Sequence, residues 1–287
     1  PKVCAEIAGT AHEVAADDAS AIDLARRYLG YFPQSAGEAP PRRDGADSAP
    51  RRIDDILGLI PPNDRRPYSM HRVLERLVDA GSLLEIAPRY GRSLVTALAF
   101  LGGHAVAIVA NNPAVRAGAV DSPAAIKAAE FIENAGAFGL PFVFLADNPG
   151  VMAGTKAERD GILKWAGRMF VAQRRLRSPK LHVTLRKSFG FGASTMAQNP
   201  FDKQTLSLVF PGVTMDAMPA GSGGRSARLD DATQARVEAR QRAGPWRMAA
   251  GMTYDEVIDP RDLRNALIAG LELSAGRVAL PRGERED

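Results

Sequence analysis

Between residues 93 and 210, apolar runs of strand length alternate with stretches of helical spacing. This rhythm limits the chain to a sheet with helices packed on it. SLVTALAFLGGHAVAIVANN (93–112) reads as two strands joined by a turn at Gly102-Gly103. Ser122-Pro123 reads as a cap and first-turn proline opening the helix AAIKAAEFIENAGAF. PFVFLAD follows as a buried strand ending in Asn148-Pro149-Gly150. Next come a helix over 158–176, the strand LHVTLRK, a glycine turn running into a helix, and the strand TLSLVF. The order predicts a parallel α/β arrangement, whose ligand crevice lies where strands give way to helices at their carboxyl ends. Two turns hold that position, 147–155 and 187–193.

The flanks have a different texture. Residues 12–31 carry apolar positions at helical spacing and predict an amphipathic helix, and 33–52, PQSAGEAPPRRDGADSAPRR, predicts an extended, mobile connector. A second amphipathic helix is expected over 69–80, opened by a serine cap. Everything before about residue 85 reads as arm and linker rather than core. Helices are expected again at 228–250 and 260–275, the second opened by Asp259-Pro260. The chain starts at Pro1 without a methionine, which points to a piece of a longer protein.

Composition removes several classes of function. One cysteine, Cys4, allows neither an intrachain disulfide nor a thiolate-built zinc site, and the expected setting is a reducing, cytoplasmic one. No apolar run reaches 18 residues, so no membrane span is expected. The net charge of +4 is spread over arginine pairs, with only 6% aromatic residues and no nucleic-acid-binding module. A solvated basic surface with attraction for anionic ligands, rather than nucleic acid, follows.

The most informative stretch is LRKSFGFGASTM (185–196). Gly190 and Gly192 match neither a P-loop nor the Gly-x-Gly-x-x-Gly dinucleotide loop, because Thr195 stands at the third glycine position. Two readings remain open. The stretch is either a plain strand-to-helix turn, or a turn whose free helix-start amides form an oxyanion hole. His12, His71, His104 and His182 have no triad or metal spacing, and Gly-x-Ser-x-Gly does not occur, although GSGG at 221–224 comes near it and reads as a mobile loop. Asp147 either lines the crevice or caps the Asn-Pro-Gly turn. No side-chain catalytic set is visible, so any chemistry rests on backbone amides and an imported reactive group.

The stretches PRYGRSLVT, GAVDSPAAIKAAEFIENAGAFGLPFVFLADNPGVMAGTKAE, LHVTLRKSFGFGASTMA and YDEVIDPRDLRNALIAGL together resemble the carboxyl-terminal half of the carboxyltransferase (β) subunit of biotin-dependent acyl-CoA carboxylases. The resemblance runs from PPRRD and IPPNDRRPY to about residue 275. It implies a crotonase-like α/β ββα superhelix with an amino-terminal arm and linker. Residues 1–32 would be the tail of the preceding amino-terminal half, 33–52 a flexible linker, and 53–287 the carboxyl-terminal carboxyltransferase domain. In the family, the acyl-CoA sits mainly on the amino-terminal half, and carboxybiotin on a swinging carrier domain meets the carboxyl-terminal half.

The biotin-side oxyanion hole would match the amides of Phe191 and Gly192, with Gly190 giving the bend. These amides would stabilise the ureido oxygen as CO2 leaves, and the biotin nitrogen would then take the α-proton of the acyl-CoA. Asp147, Pro149 and Gly150 match the family's Asp-x-Pro-Gly turn, and Ser194 falls at its acyl-selectivity position. No Met-Lys-Met biotinylation motif occurs, so biotin is expected on a partner, a biotin carboxylase or carrier subunit, within a homo-oligomer. VFPGVTMDAMPAGSGGRSARL departs from the family's Trp-Pro and Gly-x-Gly-Ala-Val text. The alternatives are a biotin-dependent acyl-CoA decarboxylase, an enoyl-CoA hydratase-like enzyme, which would need a pair of glutamates absent at the turn, and a non-catalytic scaffold half.

Overall fold

In the computed structural model one mixed sheet runs through the molecule, and residues 2–35, 37–45, 47–199, 203–221 and 228–275 are described. Three strands, β1 (Leu84–Ile86), β2 (Leu94–Leu101) and β3 (His104–Asn111), are antiparallel. The turn between β2 and β3 falls at Gly102 and Gly103, both at positive φ, as the sequence predicts. From β3 onward the sheet is parallel, through β4 (Phe142–Asn148), β5 (Lys180–Phe189), β6 (Leu206–Val209) and β8 (Glu256–Val257). A short strand, β7 (Thr214–Asp216), extends the pairing of β5 at its carboxyl end.

Both faces of the sheet are covered, which is why its central strands read as unbroken apolar runs. One face packs on α2 (Ile56–Leu59), α3 (Met70–Leu77) and the helix Leu263–Ser274. Ile53, Ile56, Val73, Leu74 and Leu77 are buried there, so the region before residue 85 belongs to the core rather than to an arm. The other face packs on α4 (Ser122–Ala137) and α6 (Ile162–Arg174).

Several boundaries shift for local reasons. Asp121 rather than Ser122 caps α4, accepting from the Ala124 amide at 3.0 Å, so Pro123 sits one position deeper. Ser69 makes no capping bond to α3. The helix expected over 158–176 is two, α5 (Thr155–Arg159) and α6, broken at Gly161 with φ of 72°. Likewise 228–250 divides into Asp231–Arg242 and Trp246–Ala250 around Gly244-Pro245.

The amino-terminal helix α1 (Asp18–Leu29) buries none of its own residues, but Tyr31 and Phe32 just beyond it are buried, Tyr31 stacking on Phe100 at 5.1 Å between ring centroids. The segment 33–52, expected to be a mobile connector, is tethered instead. The Arg43 amide donates to the Gly103 carbonyl at 2.8 Å, the Ala105 amide to Pro41 at 3.2 Å, and the fully buried Arg264 bonds the Asp47 carbonyl and pairs with Asp79 at 2.6 Å. Partners 60 to more than 200 residues away hold it, and its own composition carries no trace of them. Among the described residues no helix is long and apolar enough to cross a membrane.

Candidate active site at the carboxyl ends of β4 and β5

The glycine turn opens α7 (Gly190–Thr195) directly from the end of β5. Gly190 has φ of 54°, and a β-carbon there would stand 2.7 Å from the Ala217 carbonyl oxygen, so only glycine fits the bend. Ala217 follows β7, which places the segment that departs from the family's text against the back of the turn. Ser222, Gly223 and Gly224, from the stretch read as a mobile loop, lie outside the described residues.

The two ends of α7 are treated differently. Its carbonyls are bonded by side chains: Thr195 Oγ1 donates to Gly192 at 2.8 Å, Gln173 Nε2 and Asn199 Nδ2 to Ser194 at 3.2 and 3.0 Å, and the His182 ring to Met196 at 2.8 Å. Its amide end has no side-chain cap. The first amides of a helix have no intrahelical carbonyl to meet, and those of Phe191 and Gly192 lie in this first turn. The Phe191 side chain is half exposed and lies 5.5 Å from the Phe170 ring of α6.

The turn after β4 packs on this helix start. A β-carbon on Gly192 would come within 2.7 Å of the Gly150 α-carbon, and the Gly150 amide is held at 2.9 Å by Asn148 Oδ1. Asn148 is fixed in turn by Asn111, whose Oδ1 accepts from Asn148 Nδ2 at 3.2 Å. Pro149, Gly150, Gly190, Phe191, Gly192 and Ser194 therefore lie in two adjoining turns, with Ser194 half-buried one residue short of the end of α7.

Asp147 does not join them. Strand alternation carries it to the face of Leu145, opposite Asn148, where it is wholly buried. There it accepts from Tyr68 Oη at 2.8 Å and Arg186 Nε at 3.0 Å, with Lys187 Nζ at 3.8 Å from its other oxygen. The β4–β5 register slips between Ala146 and Asn148, so that Leu185, Arg186 and Lys187 together face Asp147. Such an irregularity turns both basic side chains toward one carboxylate. Burial pushes the Asp147 carboxyl up, against the pull of Arg186 and Lys187. Arg186 also donates to the carbonyls of Pro61, Asn63 and Arg66 at 2.8–3.2 Å, tying the IPPNDRRPY segment to the sheet. Asp147 thus supports the crevice from beneath. Tyr68, Arg186 and Asn111 belong to no catalytic or binding motif legible in the sequence. The one legible signal was Arg186-Lys187 inside an apolar strand, since buried charges require a partner.

Comparison with known proteins is decisive here: the family model for the carboxyl transferase domain matches residues 2–285. The chain belongs to the carboxyl transferase domain family. Within this family it is 32% identical over 276 residues to the propionyl-CoA carboxylase carboxyltransferase subunit of Haloferax mediterranei, covering 92% of this chain and 53% of that protein. It is 30% identical over 274 residues to the α subunit of methylmalonyl-CoA decarboxylase of Veillonella parvula, covering 94% and 54%. The carboxyl transferase domain chain thus spans about half the length of the curated relatives it matches. Its fold superposes on the crystal structure of transcarboxylase 12S, a hexamer with methylmalonyl-coenzyme A and methylmalonic acid bound, with a TM-score of 0.91, 30% identity and cover of 100% of this chain and 57% of that one. The crotonase-like α/β fold and the family expected from the sequence are both borne out.

Proposed function

We infer that this chain supplies the biotin-side half of an acyl-CoA carboxyltransferase active site, in which a carboxyl group passes from carboxybiotin to the α-carbon of an acyl-CoA. The observation that supports it is the uncapped amide end of α7, in contrast to a carboxyl end where side chains bond the carbonyls of Gly192, Ser194 and Met196. A ureido oxygen suits this place: it is a small acceptor, it needs no countercharge, and two amides backed by a helix start can meet it.

Biotin, carried on a partner, supplies a carboxyl group on a ureido nitrogen and the basicity of that nitrogen once the group has left. The chain's own part is electrostatic. The amides of Phe191 and Gly192 donate to the oxygen on which negative charge gathers, and their direction is set before reaction, so little reorganisation opposes the step. Gly190 makes the bend, Pro149 and Gly150 wall the crevice, Ser194 lies where acyl groups are distinguished, and Asp147 holds the strand ends from below. The acyl-CoA side belongs to an amino-terminal half, with residues 1–32 as its tail, 33–52 as the linker and 53–287 as the carboxyl-terminal domain. A biotin carboxylase or carrier subunit, homo-oligomeric assembly and a cytoplasmic setting complete the reading.

The test is carboxyl transfer from malonyl-CoA or methylmalonyl-CoA to free biotin. Transfer is expected in a protein that contains both halves and not in these 287 residues alone; no transfer with both halves present overturns the proposal. Similarity to the methylmalonyl-CoA decarboxylase subunit favours a second reading, the same half-site working in the decarboxylating direction. Release of CO2 from methylmalonyl-CoA without net carboxylation would support it.

A further inference from the structure

Beneath α7 lies a chain of buried and part-buried polar side chains that the chemistry above does not use. Ser188, just before the glycine turn, donates through Oγ to Gln198 Oε1 at 2.6 Å, and Gln198 Nε2 donates to Tyr254 Oη. Tyr254 Oη lies 3.0 Å from Thr184 Oγ1, Thr184 Oγ1 lies 2.7 Å from His182 Nε2, and His182 Nδ1 lies 2.8 Å from the Met196 carbonyl that closes α7. His182, Thr184, Ser188 and Tyr254 are all buried.

The direction of every bond in this chain is settled by its end. A backbone carbonyl can only accept, so His182 carries its proton on Nδ1 and leaves Nε2 as an acceptor. Thr184 must then donate to Nε2, and its lone pairs accept from Tyr254. Tyr254 has given its one proton to Thr184 and accepts from the Gln198 amide, whose carbonyl end accepts from Ser188. Met215 Sδ, 3.8 Å from Tyr254 Oη, is a weaker acceptor and does not compete. Burial lowers the His182 pKa to about 4, so the ring stays neutral near pH 7 and the order is kept.

We propose that Ser188, Gln198, Tyr254, Thr184 and His182 form a positioning clasp that holds the carboxyl end of α7 back to β5, from which its amide end springs, and so fixes the direction of the Phe191 and Gly192 amides. Ser188 precedes the helix and Met196 and Gln198 follow it, so the clasp spans the element whose aim matters. A buried network with each member satisfied makes one arrangement favourable, and a break leaves buried groups unpaired. The catalytic consequence of this clasp rests on the carboxyltransferase reading; the clasp itself does not.

The experiment reads the helix directly. Hydrogen–deuterium exchange of the peptide covering 190–198 is compared with that of α4 in the full chain and in the variants Tyr254→Phe, Thr184→Val and Thr184→Ser. Tyr254→Phe and Thr184→Val each remove one hydroxyl, and with it two links, at nearly constant shape, and each should speed exchange at 190–198 by roughly threefold to tenfold while α4 stays unchanged. Thr184→Ser keeps the hydroxyl and should restore the slow rate. Unchanged exchange at 190–198 in both link-breaking variants, or an equal rise in α4, overturns the clasp. In the protein with both halves, Tyr254→Phe should lower kcat about tenfold with the acyl-CoA KM unmoved. Absence of transfer in the unmutated protein would count against the carboxyltransferase reading only, since the exchange comparison still decides the clasp.

Discussion

Gly192 and Gly150 meet backbone to backbone: a β-carbon on the first would stand 2.7 Å from the α-carbon of the second. Two glycines far apart in the chain thus bring the turns after β4 and β5 into one crevice. No side chain can be inserted without moving a backbone.

Gly192→Ala is therefore expected to destabilise the fold by about 1–3 kcal/mol, the usual range for overpacking, even though alanine is the better helix former. Urea unfolding of the two proteins checks this. An unchanged midpoint would mean that the two turns separate freely.

The amide of Phe191 can be removed more cleanly. Its side chain is half exposed, and proline is tolerated in the first turn of a helix. Phe191→Pro in the protein with both halves should cut carboxyl transfer about 10²-fold, as loss of other oxyanion donors does, with acyl-CoA binding retained. Circular dichroism confirms the fold, and retained turnover would place the donor elsewhere.

Asp147 balances Arg186 and Lys187 on the buried face of the strand pair. Asp147→Ala leaves both cations without it and should cost about 3–5 kcal/mol in denaturant unfolding. Asp147→Asn, which still accepts from Tyr68, should lose less. If Asp147 instead acted directly in the crevice, activity would fall while stability held.

His182 gives a pH signature. Burial, aided by nearby Lys180, lowers its pKa from 6.5 to about 4 against the bond to Met196. Between those values the unfolded chain binds a proton that the folded one does not, so stability falls as pH drops from 6.5 to 4. The loss amounts to about 3 kcal/mol. His182→Gln should remove that part of the pH slope in unfolding midpoints measured across this window, whatever its effect at pH 7.

The sequence by itself determined the α/β class, the parallel strands from 104 onward and the position of the glycine turn, because strand and helix periods and glycine spacing are local properties. The stretches around the glycine turn and the 118–158 segment also indicate the family. Tertiary structure alone decided the rest. The segment 33–52 has the composition of a free connector, yet Gly103 and Arg264 hold it. Asp147 stands in the motif of the crevice, yet strand alternation sends its carboxylate to the other face, where a register slip brings Arg186 to it. His182 looks like an isolated strand histidine until Thr184, Tyr254, Gln198 and Ser188 join it to the segment that follows α7. In each case the deciding partner is distant in sequence, or depends on which face of a strand a side chain takes. Burial then makes that partner obligatory, because an unpaired polar group away from water costs more than the bond it would make.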